Sequence, residues 1–323
     1  MKDATGRTIN YLRVSITDRC NFRCGYCMPL AGVRKVRHAD MLSFEELFEV
    51  VRLMASRLGF NKVRVTGGEP LVRRGAIPFM RSLGLIPAIN DLSLTTNAYY
   101  LEPVAATLRA AGFERINISL DTLRRDRFKE ITHVDGLDQV LLGIAAAREV
   151  GFSPIKLNIV SMDTTLDEVL DLIAFGIDRC LQVRFIELMP VLGGAHLKFV
   201  SNDRIKAIVE SRYGLSPIGI DGDVRAADPH GAAEVYRIEG TGATCGFISS
   251  ISRPFCRACN RIRLRGDGRL KPCLASSVSF DLIRFIRPKF DPHGLEEYLR
   301  GIIRSKKASF GEYEIDTMSA FGG

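Results

Sequence analysis

The chain has 323 residues, 46% hydrophobic and 25% charged, enough for one large domain with a real core or a large domain plus a small one. No apolar run reaches the roughly 18 residues that a helical membrane span needs, and Met1 to Thr8 carries no apolar signal region, so a reducing, cytoplasmic setting is expected. The net charge of +8 is spread along the chain, with only short clusters at 34–37 and 304–307, which fits a solvated surface better than a nucleic-acid tail.

Short strand patterns alternate with helix patterns from residue 11 to 190. Leu12, Val14 and Ile16 alternate as a strand, followed by Val63/Val65, Leu92/Leu94, Ile116/Ile118 and the runs 155–160 and 181–186. Helices are expected near 44–58, 74–84, 102–111, 137–150 and 166–176. Ser43 with Glu46 makes a capping box, and Pro103 suits a first turn. Gly59, Gly112 and Gly151 each follow a helical stretch, as C-terminal stops do. Such repeats imply a parallel sheet, either curled into an incomplete barrel or open and doubly wound. In both, chemistry belongs at the C-terminal ends of the strands. Four unusual loops fall there: Thr66–Pro70, Thr95–Asn97, Ser119–Asp121 and Glu187–Pro190. Any one of them could be a plain turn, but four at equivalent positions point to one site. After about residue 213 short alternating runs and the turn Gly266-Asp267-Gly268 suggest small hairpins, then a helix near 293–305. The chain therefore divides into a sheet domain, 1–212, and a C-terminal extension, 213–323.

Of eight cysteines, six form two tight groups of three. In a reducing setting such groups read as metal or cluster ligands rather than disulfides. Cys20, Cys24 and Cys27 follow the first strand. Three thiolates can hold three irons of a four-iron cluster and leave the fourth open to a ligand. A zinc site would want a fourth protein ligand, and the nearest candidate, His38, is badly spaced. Cys256, Cys259 and Cys273 form the second group. A second open cluster is the preferred reading, with a zinc site completed by Cys245 or His230 as the alternative. Between its cysteines run Arg261, Arg263 and Arg265, which share one face of a strand. Guanidinium forks suit phosphate and carboxylate oxygens, so a polyanionic substrate is implied; a solvated basic face is the bland alternative. The five histidines are scattered, and none is given a catalytic role.

The CxxxCxxC run with an aromatic residue before its last cysteine resembles the signature of the radical S-adenosylmethionine superfamily, and Gly67-Gly68-Glu69 resembles its GGE segment. Further stretches narrow the resemblance to the molybdenum cofactor biosynthesis protein A family, the GTP 3′,8-cyclases. They are Tyr11–Arg13, Val65–Leu71, Ser119–Asp121, Arg184–Pro190, Pro254–Cys256 through Pro272–Leu274, and the terminal Gly322-Gly323. The resemblance implies an incomplete (β/α)6 radical S-adenosylmethionine barrel whose C-terminal extension carries a second iron–sulfur cluster. It implies a lyase that joins carbon 8 of guanine to the ribose 3′ carbon of GTP, the first step of molybdenum cofactor synthesis. In such enzymes an adenosyl radical abstracts the 3′ hydrogen, and the product is (8S)-3′,8-cyclo-7,8-dihydroguanosine 5′-triphosphate. By the same analogy Cys20, Cys24 and Cys27 hold the [4Fe-4S] cluster that binds S-adenosylmethionine, and Cys256, Cys259 and Cys273 hold the other. Tyr26, Gly67, Gly68, Glu69, Ser119 and Met189 would contact S-adenosylmethionine. Arg13, Arg64, Thr95, Lys156, Arg261 and Arg263 would contact GTP, and Gly322 and Gly323 would reach into the active site. A reducing electron donor and a downstream cyclic pyranopterin monophosphate synthase are the implied partners, with a homodimer left open and neither membrane nor nucleic acid expected. The chain departs from the family pattern at Ile131–Val134, in its Ala320-Phe321 tail and over 219–233, none of which touches a cysteine. A peptide- or cofactor-maturing enzyme of the same superfamily, or a zinc-stabilised nucleic-acid-binding protein, are the competing readings.

Overall fold

A computed structural model describes residues 1–29, 32, 35–190, 197–219 and 232–307. Gly322, Gly323, His196 and His230 lie outside the described residues.

Six strands appear where the alternating runs predict them: β1 (Tyr11–Ser15), β2 (Lys62–Thr66), β3 (Asp91–Thr96), β4 (Arg115–Ser119), β5 (Ile155–Ser161) and β6 (Gln182–Glu187). The helices that follow are α1 (Phe44–Leu58), α2 (Ala76–Leu83), α3 (Ala105–Ala110), α4 (Arg125–Thr132), α5 (Leu137–Glu149), α6 (Val169–Arg179) and, after β6, α7 (Asn202–Glu210). The capping box of α1 is present: the Ser43 hydroxyl accepts from Glu46 N, and the Glu46 carboxylate accepts from Ser43 N. Gly59 ends α1 with φ +75°, a left-handed conformation that favours glycine. The helix α4 is absent from the sequence expectation, because only Phe128 and Thr132 of its eight residues are buried and its apolar period is weak.

All six strands pair in parallel and in chain order, β1-β2-β3-β4-β5-β6. No order reversal occurs, so the doubly wound alternative falls and the order of an incomplete barrel stands. With an unreversed order, right-handed crossovers put every helix on one face. Leu12, Val63, Leu94, Ile116, Leu157 and Val183 supply that face and are buried in one core with the helices.

The C-terminal half contributes β7 (Leu215–Pro217), β8 (Glu234–Ile238), β9 (Thr244–Ile248), β10 (Arg261–Arg265), β11 (Arg269–Lys271), β12 (Phe280–Asp281), α8 (Ile283–Ile286) and α9 (Pro292–Arg304). The expected hairpins form, β8 with β9 and β10 with β11. They do not stand apart from the sheet. β9 adds in parallel to β6 at one edge and β10 adds in parallel to β1 at the other, giving one sheet of twelve strands. The helix α9 packs beside α1 and continues the outer layer.

The opposite face of this sheet is polar, yet β1 is buried at every residue. Arg263, Arg13, Arg64 and Ser93 stand in register across β10, β1, β2 and β3. Thr95, Asn117 and Lys156 continue that face over β3, β4 and β5. Such a row of buried cations is costly unless an anion meets it.

Candidate functional site

The first cysteine group follows β1 and is clamped by the loop after β2. Gly68 N donates to Thr17 O and Glu69 N to Arg19 O, both at 2.8 Å. A Cβ on Gly67 would lie 2.7 Å from Thr17 O, and one on Gly68 would lie 2.7 Å from the Arg19 carbonyl carbon. These glycines are therefore required by the chain's own cysteine loop, a closer constraint than approach to a ligand. On its other side the loop rests on α4: Arg23 N donates to Thr132 O at 2.9 Å.

Cys20, Cys24 and Cys27 line one cleft at the C-terminal ends of the strands, with an empty volume of about 1240 Å³ open to solvent. Tyr26, Gly67, Gly68, Thr95, Ser119 and Met189 also line it. The Tyr26 hydroxyl donates to Asp121 Oδ2 at 2.7 Å, while Asp121 Oδ1 accepts from Val160 N at 2.8 Å. Burial pushes Asp121 up to about 6. Asn158 also lines the cleft, and its buried Oδ1 has no hydrogen-bond partner among the described residues. The sequence assigns no ligand role to either: Asp121 follows β4, where an aspartate reads equally well as a turn former, and Asn158 lies within β5 among alternating strand residues.

Glu69 does not line the cleft. It is fully buried, and its carboxylate accepts from Leu71 N at 3.0 Å, Thr96 Oγ1 at 2.9 Å and Asn97 N at 2.6 Å. Burial nevertheless pushes it up to about 7. Arg64 and Lys156 line neither this cleft nor the next one, although both lie on the polar face. The Arg64 guanidinium donates from Nε to Ser93 Oγ at 3.2 Å and sits 5.6 Å from the Tyr11 ring centre.

The second cysteine group arises from the segment that crosses from β9 at one edge to β10 at the other, closed by Cys273 after β11. Cys256, Cys259 and Cys273 line a second cleft with Arg7, Arg13, Arg261, Arg263, Lys306 and Lys307, and no carboxylate among the described residues lines it. The two clefts share Ile186 and Met189. Met189 therefore stands in the wall between them. Arg261 lies 4.8 Å over the Phe255 ring. The buried Arg263 Nε has no hydrogen-bond partner among the described residues. Burial, then the neighbouring Arg261, push Arg263 down to about 10. Cys245 is fully buried in β9 opposite Tyr236 and lines neither cleft.

The donor sets suit iron–sulfur clusters. Burial pushes the thiols of Cys20 up to about 11 and of Cys27 up to about 12, and holds Cys24 well above its ordinary value. Such thiols are inert until a metal displaces the proton. At Cys259 burial works the same way, but Arg261 and Lys306 outweigh it and hold the thiol at about 6. Among the described residues no three His, Cys, Asp or Glu side chains converge on a point one metal ion could fill. A polynuclear cluster asks instead for thiolates spread over a pocket, each meeting its own iron.

The family described as Radical SAM superfamily matches residues 14–176, and the one described as Molybdenum Cofactor Synthesis C matches residues 181–312. A GTP 3′,8-cyclase of Alkaliphilus metalliredigens is 47% identical over 89% of this chain and 88% of its own length. A GTP 3′,8-cyclase of Geobacter sulfurreducens is 43% identical over 99% of both chains, and that of Petrotoga mobilis 41% identical over 100% of both. Among solved structures, Streptococcus suis SuiB bound to S-adenosylmethionine shares the fold with a TM-score of 0.66 over 92% of this chain and 68% of that one, at 17% identity. No helix among the described residues is long and apolar enough to cross a membrane. With its two cysteine clefts meeting at the C-terminal ends of a sequentially ordered parallel sheet, the chain belongs to the radical SAM superfamily and, within it, to the GTP 3′,8-cyclase family.

Proposed function

We propose that this chain is a lyase that converts GTP to its 3′,8-cyclised dihydroguanosine triphosphate in the first step of molybdenum cofactor synthesis. One observation carries the reading: two cysteine-lined clefts share a wall at Ile186 and Met189, and among the described residues one has no lining lysine or arginine while the other has six and no carboxylate. A neutral-to-acidic cleft suits a sulfonium cofactor. A cleft crowded with cations suits a triphosphate.

Cys20, Cys24 and Cys27 would hold a four-iron cluster and leave one iron for S-adenosylmethionine, and Cys256, Cys259 and Cys273 would hold a second cluster of the same type. When bound, the first cluster and S-adenosylmethionine supply one-electron chemistry able to abstract a hydrogen atom from a sugar carbon. The chain's own part is to place GTP. Arg13, Arg261 and Arg263 line the second cleft and face the triphosphate or the base, and Arg64, Thr95 and Lys156 extend the same polar face toward the first cleft. Tyr26, Ser119 and Met189 line the cofactor side. Gly67, Gly68 and Glu69 hold the loops that shape it. Gly322 and Gly323 would orient the abstraction step from the C-terminal tail. Residues 1–212 would act as the cofactor domain and 213–323 as the substrate-side extension. An external electron donor is required, and a pyranopterin monophosphate synthase would take the product.

Equilibrium binding of GTP to Arg261→Ala and Arg263→Ala tests the reading. Each should weaken GTP by about 1–3 kcal/mol, the cost of a lost charge-assisted hydrogen bond, with S-adenosylmethionine affinity barely changed. Unchanged GTP affinity in both variants would return the arginines to a structural role.

A further inference from the structure

We infer that Lys306 is a fixed buried counter-charge for the second cluster, making that cluster easier to reduce independently of the arginines that face substrate. The inference rests on the proposed presence of that cluster.

Lys306 is 3% exposed and lies just beyond α9. Its ammonium donates to Pro272 O at 2.6 Å, the carbonyl next to Cys273, and among the described residues no carboxylate pairs with it. Arg7 holds the segment in place, donating to Lys306 O at 3.2 Å, Lys307 O at 2.8 Å and Cys256 O at 2.5 Å. Anchored at both ends, the ammonium stays in the cleft. A buried ammonium with only a carbonyl partner is expensive. Burial lowers the pKa of this ammonium, and Cys259 and Cys273 oppose that by favouring its charged form, while Arg7 and Arg263 add to the lowering. The cation is thus matched to the thiolate side of the cleft. Reduction adds one negative charge to a cluster, and cluster potential follows net charge, hydrogen bonding and exposure. Among the described residues the first cleft is lined by Asp121 and Glu187 and by no lysine or arginine, although Lys35 lies near enough to favour the thiolates of Cys20 and Cys27, so the second site is the more crowded with cations.

The test uses the full chain with Cys20, Cys24 and Cys27 changed to Ala, loaded with iron and sulfide under argon and without GTP. About four irons per chain establish the second cluster by itself. Its midpoint is then read by an EPR-monitored dithionite titration. Lys306→Gln keeps a donor and removes the charge; Lys306→Met removes both; Lys306→Arg keeps the charge. The neutral variants should make reduction about tenfold less favourable, a shift of about 59 mV to more negative potential for one electron, while Lys306→Arg stays near the parent. A parent chain that holds no iron would sink the second cluster itself. Iron retained with an unmoved midpoint would overturn the inference alone, as would a loss of GTP affinity in Lys306→Gln without a midpoint shift. Loss of iron in both neutral variants would assign Lys306 to holding the loop and overturn it too.

Discussion

Glu69 illustrates how far a single residue can be read from sequence. The GGE segment is legible as a run of letters at the end of a strand. Its carboxylate, however, turns inward to Leu71 N, a local cap two residues on, and to Thr96 Oγ1 and Asn97 N, two partners that no local pattern announces. Thr96 and Asn97 lie 27 and 28 residues on, brought close by the pairing of β2 with β3. The bonds favour the carboxylate, but burial is the larger effect and pushes it up to about 7 from 4.5. Below pH 4.5 both folded and unfolded chains carry the proton. Between about 4.5 and 7 the unfolded chain loses it and the folded chain keeps it, so the folded state binds more protons and stability falls as pH rises. The fall amounts to about 3 kcal/mol at most and is complete above pH 7. Thermal unfolding of wild type and Glu69→Gln under argon measures it. Wild type should lose more of its midpoint than the variant between pH 5 and 7; parallel curves would mean that Glu69 ionises normally.

At the scale of elements, hydrophobic period and caps locate what packs on the core. The six strands carry strict alternation, and α1 carries both its capping box and its terminal Gly59, so these elements fall where the sequence puts them. The helix α4 does not, because it touches the core through Phe128 and Thr132 only; its role is to support the cysteine loop from outside, through Thr132 O and Ile131 O. Nor does sequence reveal that Gly67 and Gly68 are fixed by contact with Thr17 and Arg19, since these partners precede the two glycines by about fifty residues. A Cβ at Gly68 cannot be relieved by a side-chain movement, because its neighbours are the backbone of Arg19 and Cys20. Gly68→Ala should therefore displace the cysteine loop. Iron after anaerobic loading is expected to fall from about eight toward about four per chain, leaving the second site filled. Full iron content with normal S-adenosylmethionine binding would contradict this account.

The whole molecule depends on how the C-terminal half straddles the N-terminal one. Sequence patterns foretell its hairpins but not their destination, because alternation does not say which edge a strand joins or in which direction. By adding β9 beyond β6 and β10 beyond β1, the extension crosses between the two edges of the sheet, and that crossing carries Cys256 and Cys259 into the second cleft, which meets the first at Ile186 and Met189. Glu187 fixes the crossing. It ends β6, is 1% exposed, and accepts from Asn202 N at 3.1 Å, Ile251 N at 2.9 Å, Ser252 N at 2.8 Å and Ser252 Oγ at 2.5 Å. One carboxylate thus joins the end of β6, the start of α7 and the beginning of the crossing segment. An amide in its place would turn an NH2 group toward backbone donors and leave at least one of them unpaired, at a cost of about 1–3 kcal/mol. Because the strain falls on the crossing rather than on β1 or its cysteine loop, the two clefts should lose their mutual alignment before either loses its own shape. Glu187→Gln should then form cyclised nucleotide at least tenfold more slowly while 5′-deoxyadenosine release falls much less, a separation that tracks the roughly 1.4 kcal/mol per tenfold of misplacement. Chromatographic measurement of both products from one reaction decides it: equal loss of the two would mean that Glu187 serves the first cleft alone.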